Sequence, residues 1–185
     1  MPSNVTGVIQ DLERVLLSPE QIAARVAEMA ARLNAELAGR VVSVVALMDG
    51  GLFFVADLLR KLEMPVRLHT LSASSYQGGT ATTGEVRVNW PASLNLHGQD
   101  VLLLDDILDT GLTLGAISER ILEQEPASLH TCVLLSKRRP RLHEVVVADA
   151  GFEIDDEFVV GYGMDFRGRF RNLPCIGILN LDPAA

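Results

Sequence analysis

The chain has 185 residues, of which 48% are hydrophobic and 22% are charged, and its formal net charge is -8. This length and composition fit one globular domain with a real core, so we expect residues 1–185 to form a single domain. They exclude a helical membrane protein, because no apolar run approaches the roughly 20 residues needed to span a bilayer, and the acidic balance disfavours generic binding of nucleic acid or anionic membrane.

The first predicted element is a helix that begins at Ser18. Ser18 is a typical N-cap residue, Pro19 occupies the first turn, and Gln21 follows three positions after the cap. Apolar residues then recur at helical spacing as far as residue 37, and Gly39 predicts the end of the helix. A continuous, largely β-branched run at 41–47 predicts a strand that is buried on both faces.

The next segments predict a βαβ unit, with a helix over 51–62 and a strand over 66–71. Residues 72–84 are small, polar and rich in glycine, which predicts a mobile loop. Residues 85–90 alternate like a half-exposed strand. The remaining predicted elements are a strand over 101–105, a helix over 113–123, and strands over 129–136, 144–148, 158–163 and 175–180.

Strands that alternate with helices in this way predict an α/β fold. We expect a mostly parallel, twisted sheet that is flanked by helices on both faces. In such sheets, ligands bind beyond the carboxyl ends of the strands. The residues that follow each predicted strand are therefore the first candidates for a functional site.

Residues 101–113, VLLLDDILDTGLT, place three carboxylates after a buried strand. Asp105, Asp106 and Asp109 repel one another there and are poorly solvated, so they need a compensating partner. Sugar hydroxyls, a divalent cation or a proton that is moved in a reaction would each supply one. The alternative is an acidic first helical turn in which Asp109 is only a cap.

The turn after these acids has the features of a phosphate site. Backbone N–H groups at a helix start are unpaired and carry partial positive charge. Gly111 permits close approach of an anion, and Thr110 and Thr113 add hydroxyl donors. The segment lacks the Gly-Lys-Ser/Thr of a Walker A loop. A phosphate seat beside carboxylates suits a phosphorylated sugar with Mg²⁺.

The same 13 residues resemble the phosphoribosyl pyrophosphate signature of type I phosphoribosyltransferases. Three further segments resemble the hypoxanthine(-guanine) phosphoribosyltransferases: GLFFVADLLR, the helix after their pyrophosphate loop; SSYQGGTATTGEVRV, their flexible catalytic loop; and EFVVGYGMDFRGRFRNLPCIGIL, their base-binding segment. The likeness spans about residues 15–182. It implies the type I phosphoribosyltransferase fold, with a small hood built from the N- and C-terminal segments.

The resemblance implies a role for each residue of the acidic stretch. Asp105 and Asp106 hold the ribose hydroxyls, directly or through Mg²⁺, and Asp109 is the general base at the purine N7. The backbone and hydroxyl groups that follow hold the 5′-phosphate. The expected phosphoribosyl pyrophosphate-binding residues here are Asp105, Asp106, Asp109, Thr110, Gly111, Leu112 and Thr113.

The purine site is also assigned by resemblance. Lys137 donates a hydrogen bond to the 6-oxo group of the base, Phe158 stacks on the purine, and Val159 offers main-chain groups to its edge. Without the resemblance, Lys137 is one member of a solvated basic run, and Phe158 and Val159 are core residues of a strand.

The remaining expected site residues contact pyrophosphate, metal or solvent. Asp165 is a metal-linked aspartate on the purine side, and Arg171 contacts pyrophosphate; their alternative is an exposed ion pair. Gly50 and Gly51 are expected backbone donors to pyrophosphate. In the expected flexible loop, Ser75 and Tyr76 close over the site, although an ordinary polar loop is the alternative. The expected metal ligands are Asp105, Asp106 and Asp165.

Two positions depart from the family pattern. Familiar members carry Leu-Lys-Gly at the start of the pyrophosphate loop, whereas this chain has Met48-Asp49-Gly50, so a carboxylate replaces a cationic donor. Asp105 stands where Glu is commoner, which shortens the reach of the carboxylate by one methylene. The pattern does not indicate whether Asp49 binds Mg²⁺, points away or contacts another subunit.

The expected function is therefore purine salvage with Mg²⁺ as cofactor: hypoxanthine, and possibly guanine, reacts with phosphoribosyl pyrophosphate to give IMP or GMP and pyrophosphate. Xanthine specificity and an RNA-binding regulator of the same fold remain alternatives. The expected partners are small-molecule substrates and further copies of the chain in a homodimer or homotetramer, without nucleic acid or membrane. Cys132 and Cys175 lack metal-ligand spacing, and no secretion signal is visible, so we expect free thiols and a cytoplasmic protein.

Overall fold

The structure, a computed structural model, describes residues 12–75 and 86–179. Its elements are, in chain order, β1 Leu12–Leu17, α1 Pro19–Glu36, β2 Val42–Met48, α2 Leu52–Leu59, β3 Val66–Ser75, β4 Val86–Val88, β5 Asp100–Leu108, α3 Leu112–Leu122, β6 Ser128–Lys137, β7 Asp149–Ile154, β8 Val159–Val160 and β9 Ile176–Leu179.

The larger sheet has six strands in the order β4-β3-β2-β5-β6-β7. Strands β2, β3, β5, β6 and β7 are parallel, and β4 is antiparallel to β3. Successive side chains of a strand point to opposite faces, so Val44 and Leu102 pack with α1 and α2, whereas Val45 and Leu103 pack with α3. A mostly parallel sheet flanked by helices confirms the predicted α/β class.

A smaller antiparallel sheet, in the order β1-β9-β8, forms the hood. It joins the N-terminal β1 to the C-terminal β9, which confirms the expected origin of the hood. The sequence did not predict β1, because only Leu17 of its six residues is buried and the strand has no clean alternation. Pairing with β9 makes this segment a strand.

The predicted strand over 144–148 is wrong. This segment follows a turn in which the N–H groups of Leu142 and His143 donate to the Thr110 carbonyl, at 2.9 and 3.2 Å, and Val146 is 91% exposed. The strand beside β6 is β7 instead. Gly151 allows that close pairing, since a Cβ there would lie 2.5 Å from the Leu134 carbonyl oxygen.

The predicted loop over 72–84 is wrong for its first part. The backbone of 72–75 belongs to β3, because residues 73–75 pair with β4, and Ser75 pairs with Val86. Tyr76 and the rest of the predicted loop lie outside the described residues. The prediction also ended β5 too early, because Ile107 and Leu108 continue to pair with β6.

Both cysteines are free and buried, as expected. Burial raises the pKa of the Cys132 thiol to about 12, which makes it inert as a nucleophile at neutral pH. Within the described ranges, no helix is long and apolar enough to cross a membrane.

The start of α1 carries a complete capping box. The Gln21 N–H donates to Ser18 Oγ at 3.3 Å, and the Ser18 N–H donates to Gln21 Oε1 at 2.8 Å. We predict that Ser18→Ala lowers the free energy of unfolding by about 1 kcal/mol, a fall in Tm of about 2–4 °C for a chain of this size. Thermal unfolding followed by circular dichroism measures this shift.

Ser118→Ala is the matched control for Ser18→Ala. Ser118 Oγ is buried in α3 and has no hydrogen-bond partner among the described residues, so its removal leaves no polar group newly unpaired. We expect Ser118→Ala to keep or raise Tm. An equal loss in both variants would contradict a specific role for the capping box.

Candidate active site

A cleft of about 430 Å³ lies between the carboxyl ends of the parallel strands and the hood. Apolar side chains, including those of Ile107 and Met164, form part of its wall. Gly51 and Leu112 flank the cleft without lining it. The predicted site residues that line it are Gly50, Asp105, Asp106, Asp109, Thr110, Gly111, Thr113, Lys137, Phe158, Val159, Asp165 and Arg171.

The first two acids lie inside β5 and not after it. Asp105 is only 8% exposed, and its Oδ1 accepts a 2.9 Å hydrogen bond from the Asp106 N–H. Burial, together with the neighbouring Asp106 carboxylate, raises the pKa of Asp105 well above its usual range. A cation or a ligand hydroxyl placed against this pair would relieve the repulsion and favour the charged form.

Two closely packed glycines, Gly50 and Gly163, connect this acidic pair to the hood. A Cβ on Gly50 would lie 2.1 Å from Asp106 Oδ2, so a larger residue there would have to displace that carboxylate. A Cβ on Gly163 would lie 2.0 Å from the Gly50 carbonyl oxygen, and Gly163 has φ +104°. Gly51 is equally constrained, since its Cβ would lie 2.6 Å from the Leu47 carbonyl oxygen.

The predicted phosphate seat lies at the start of α3. Gly111 has φ +84°, a left-handed conformation that favours glycine. Gly111 immediately precedes α3. The unpaired N–H groups of the first helical turn therefore lie beside Thr110 and Thr113, whose side chains line the cleft. Unpaired N–H groups and the helix dipole make this end suitable for an anion.

A segment that the sequence interpretation missed holds this turn in place. Arg141 donates to the carbonyls of Leu108, at 2.9 Å, and Asp109, and to Ser136 Oγ at 2.9 Å. The carbonyl oxygen of His143 occupies the place that a Cβ on Gly111 would take. No local signal marks the contacts with Leu108, Asp109 and Gly111, because they join residues more than 30 positions apart.

The hood supplies the other wall of the cleft. Phe158 is 41% exposed, and its ring meets that of Phe166 edge to face at 5.6 Å between centroids. Val159 is buried and pairs with Ile178. An exposed aromatic face in a cleft is suited to stacking on a flat heterocycle, and this exposure argues against Phe158 as a core residue.

Asp109 is surrounded by cations. Its Oδ2 accepts from Lys137 Nζ at 3.1 Å, and its Oδ1 accepts from Arg139 Nη1 at 2.8 Å. The Lys137 side chain is only 10% exposed, which argues against a solvated basic run. Asp156 lies beside both cations, and the sequence interpretation missed both Arg139 and Asp156.

Asp49, the unexplained carboxylate, lies beside Arg171. The nearest distance is 4.0 Å, from Asp49 Oδ2 to Arg171 Nη2, and the Asp49 side chain is 79% exposed. Arg171 also pairs with Asp165 at 2.8 Å and donates to the Gly163 carbonyl at 2.6 Å. Asp49 is joined to Met48 by a cis peptide bond.

The expected metal ligands do not form a complete protein site. In the part of the chain that the structure describes, no three His, Cys, Asp or Glu residues are placed to hold a metal together. Asp165 uses both carboxylate oxygens, one toward Arg171 and one toward the Gly168 N–H at 2.7 Å. The buried Asp105 and the half-buried Asp106 still fit Mg²⁺, which binds through one or two carboxylates when substrate oxygens complete its shell.

The sequence matches the family model of the phosphoribosyl transferase domain over residues 16–167. The chain belongs to the phosphoribosyltransferase family. It is 36% identical over 176 residues to the hypoxanthine-guanine phosphoribosyltransferase of Mycobacterium tuberculosis strain H37Rv, with 92% of this chain and 87% of that protein covered. It is 38% identical over 173 residues to the protein of the same name from Staphylococcus epidermidis strain RP62A, with 94% and 97% covered.

Solved structures support the same relationship. A hypoxanthine phosphoribosyltransferase from Staphylococcus aureus superimposes on this phosphoribosyltransferase with a TM-score of 0.90 and 34% sequence identity, and the match covers 100% of both chains. A hypoxanthine-guanine phosphoribosyltransferase from Bacillus anthracis gives a TM-score of 0.84 at 36% identity, covering 91% of this chain and 99% of that one. The hood and the sheet are therefore both shared with phosphoribosyltransferases of solved structure.

Proposed function

We propose that this phosphoribosyltransferase acts in purine salvage, transferring the 5-phosphoribosyl group of phosphoribosyl pyrophosphate to hypoxanthine, and also to guanine. The observation that carries the proposal is one cleft with two unlike ends. One end combines the carboxylates of the buried Asp105 and the half-buried Asp106 with the start of a helix, which suits a sugar phosphate. The other combines an exposed aromatic ring with the buried ammonium of Lys137, which suits an oxopurine.

The sugar end supplies charge where the reaction needs it. As the C–O bond to pyrophosphate breaks, positive charge builds on the ribose ring, and Asp105 and Asp106 stabilise it. The turn from Thr110 to Thr113 holds the 5′-phosphate and fixes the sugar between these acids and the purine. Gly50 and Arg171 face the departing pyrophosphate.

The purine end selects and activates the nucleophile. The ammonium of Lys137 donates to a 6-oxo group and rejects a 6-amino group, which cannot accept that hydrogen bond. Asp109 accepts the purine proton at N7, which makes the ring nitrogen that attacks the sugar more nucleophilic. Phe158 holds the base plane, with Val159 along its edge.

We assign Mg²⁺ as the cofactor. Asp105 and Asp106 are the residues that would hold it, with substrate oxygens as the remaining ligands. When bound, the ion neutralises the charge that develops on pyrophosphate. Asp165 would join as a ligand through the lone pairs that its contacts with Arg171 and Gly168 leave free.

The proposal also includes the setting of the enzyme. We take residues 1–185 as a single domain that works in the cytoplasm as a homodimer or homotetramer. Only small molecules are its substrates. The net charge of -8 favours this over the alternative of an RNA-binding regulator with the same fold.

The test is pyrophosphate release by the purified chain with hypoxanthine, guanine, xanthine and adenine, each with and without Mg²⁺. We expect turnover with hypoxanthine and guanine, none with adenine, and loss of activity when EDTA removes the metal. Xanthine as the best substrate would change the assigned base. Nucleotide-dependent RNA binding in a mobility-shift assay, without turnover of any base, would replace the enzyme by the regulator.

A further inference from the structure

Four side chains at the purine end form a closed ring of ion pairs, here called the charge ring: Asp109, Lys137, Arg139 and Asp156. Lys137 Nζ lies 3.1 Å from Asp109 and 3.4 Å from Asp156. Arg139 Nη1 lies 2.8 Å from Asp109 and 3.2 Å from Asp156. Each cation contacts both anions, so the formal charges of the ring cancel.

The ring joins elements that lie far apart in sequence. Asp109 follows β5, the two cations come from the end of β6 and the turn after it, and Asp156 precedes the aromatic Phe158. Because β6 pairs with β7 as far as Lys137 and Ile154, the residues beyond each strand meet. The ring therefore connects the turn that holds phosphate to the wall that holds the base.

The hydrogen-bond donors of the charge ring are the N–H groups of Lys137 and Arg139, and the two carboxylates do not take all of them. The Lys137 ammonium has three N–H groups; one donates to Asp109 at 3.1 Å and Asp156 is an ion-pair neighbour at 3.4 Å, so at least one N–H remains for a ligand. Arg139 Nη1 has two N–H groups, and both carboxylates are within reach of it. Arg139 does not line the cleft, so its contact with the reaction runs through Asp109.

The surroundings of Arg139 indicate a role other than stability. Its Nε is buried and has no hydrogen-bond partner among the described residues. An unpaired buried donor lowers the free energy of unfolding. An arginine that served only to stabilise the fold would therefore not leave its Nε buried without a partner. Arg139 instead fixes one oxygen of Asp109 while Lys137 fixes the other, which orients that carboxylate before a purine enters.

We propose that Arg139 is a positioning residue for the purine site, acting through Asp109, and that Asp156 holds Arg139 beside that carboxylate. This inference rests on the proposed function. It assigns to two residues outside the lining of the cleft the task of presenting one Asp109 lone pair to the base.

The chain provides a matched control in the preceding pair of residues. Arg138 pairs with Asp155 at 3.0 Å, but both side chains are more than half exposed and neither lines the cleft. Arg138→Gln therefore removes the same charge by the same substitution, one residue away from the charge ring. Surface pairs of this kind contribute little.

The experiment measures kcat and KM for hypoxanthine and for phosphoribosyl pyrophosphate in Arg139→Gln, Arg139→Lys and Arg138→Gln. We expect Arg139→Gln to lower kcat/KM for hypoxanthine about 10- to 100-fold, as misplacement of a catalytic group does, with KM for phosphoribosyl pyrophosphate within about twofold of wild type. Arg139→Lys should recover part of the loss, and Arg138→Gln should match wild type. Thermal unfolding of each variant checks that the fold is kept.

A double-mutant cycle supplies the second measurement. If Asp156 acts by holding Arg139, then Asp156→Asn combined with Arg139→Gln loses little more than Arg139→Gln alone. Effects that multiply, or an Arg139→Gln enzyme that behaves like Arg138→Gln, would overturn the inference. If the wild-type chain releases no pyrophosphate with any purine, the proposed function fails first and the assignment of Arg139 fails with it.

Discussion

Asp109→Asn lowers kcat by about 10²- to 10⁴-fold, the range that a general base contributes, while KM for phosphoribosyl pyrophosphate changes much less. The amide keeps the size and the two contact points of Asp109, but it cannot take a proton from the purine. One of its two ends also becomes a donor, and both ends face cations, Lys137 at 3.1 Å and Arg139 at 2.8 Å. Steady-state kinetics at saturating substrate measures the loss.

Asp155→Asn is the matched control for this change. Asp155 is an exposed carboxylate that pairs with Arg138 outside the cleft, so its neutralisation should leave kcat near the wild-type value. Near-wild-type turnover of Asp109→Asn would remove Asp109 from the role of base. A loss confined to KM would reduce that role to binding.

Gly111→Ala should lower kcat/KM for phosphoribosyl pyrophosphate by about 100-fold or more, the effect expected when a binding group is displaced by about 1 Å. Two causes add. A non-glycine residue at φ +84° costs about 1–2 kcal/mol. The added Cβ would also lie 2.1 Å from the His143 carbonyl oxygen, a backbone atom that cannot turn aside. Kinetics with varied phosphoribosyl pyrophosphate, together with thermal unfolding, measures both consequences.

Gly98→Ala separates these two causes. Gly98 also has a positive φ, +64°, but a Cβ there would meet nothing within 4 Å. It lies outside the cleft, so Gly98→Ala should lose stability through strain and keep its kinetics. If Gly111→Ala kept the wild-type kcat/KM, the start of α3 would not be the phosphate seat.

Local signals in the sequence predict what local forces determine. The start of α1 is predicted to the residue because Ser18 and Gln21 satisfy each other's backbone groups within four positions. The buried strand β2 is predicted because both of its faces are apolar. The βαβ order then predicts the class of fold, and the carboxyl ends of the strands predict where the cleft lies.

Non-local pairing determines what the sequence could not predict. β1 is a strand because β9 lies beside it, and β7 displaces the more apolar segment 144–148 because Gly151 lets it approach β6. The charge ring likewise depends on contacts between side chains that are distant in sequence. Arg139 and Asp156 are 17 positions apart, and each has a like-charged neighbour, Arg138 or Asp155, that composition alone does not distinguish from it.

The family resemblance supplied candidates one residue at a time, and the cleft brings most of them together. It contributed no interpretation of Asp49, where this chain departs from the pattern. The structure gives that carboxylate a neighbour, Arg171, at 4.0 Å. It also shows that Arg171 is already shared with Asp165 and the Gly163 carbonyl.

Because Gly50 and Gly163 leave no room for a Cβ, they limit which positions can be mutated to change the base preference of this enzyme. Gly163 belongs to the hood and Gly50 to the loop after β2, and Asp106 lies against Gly50 in turn. A methyl group introduced at residue 163 would push the Gly50 carbonyl, and Gly50 lies against the Asp106 carboxylate that we assign to the sugar. Directed evolution of specificity should therefore avoid position 163 and draw its variants from Phe158, which is 41% exposed and leaves room for a different side chain.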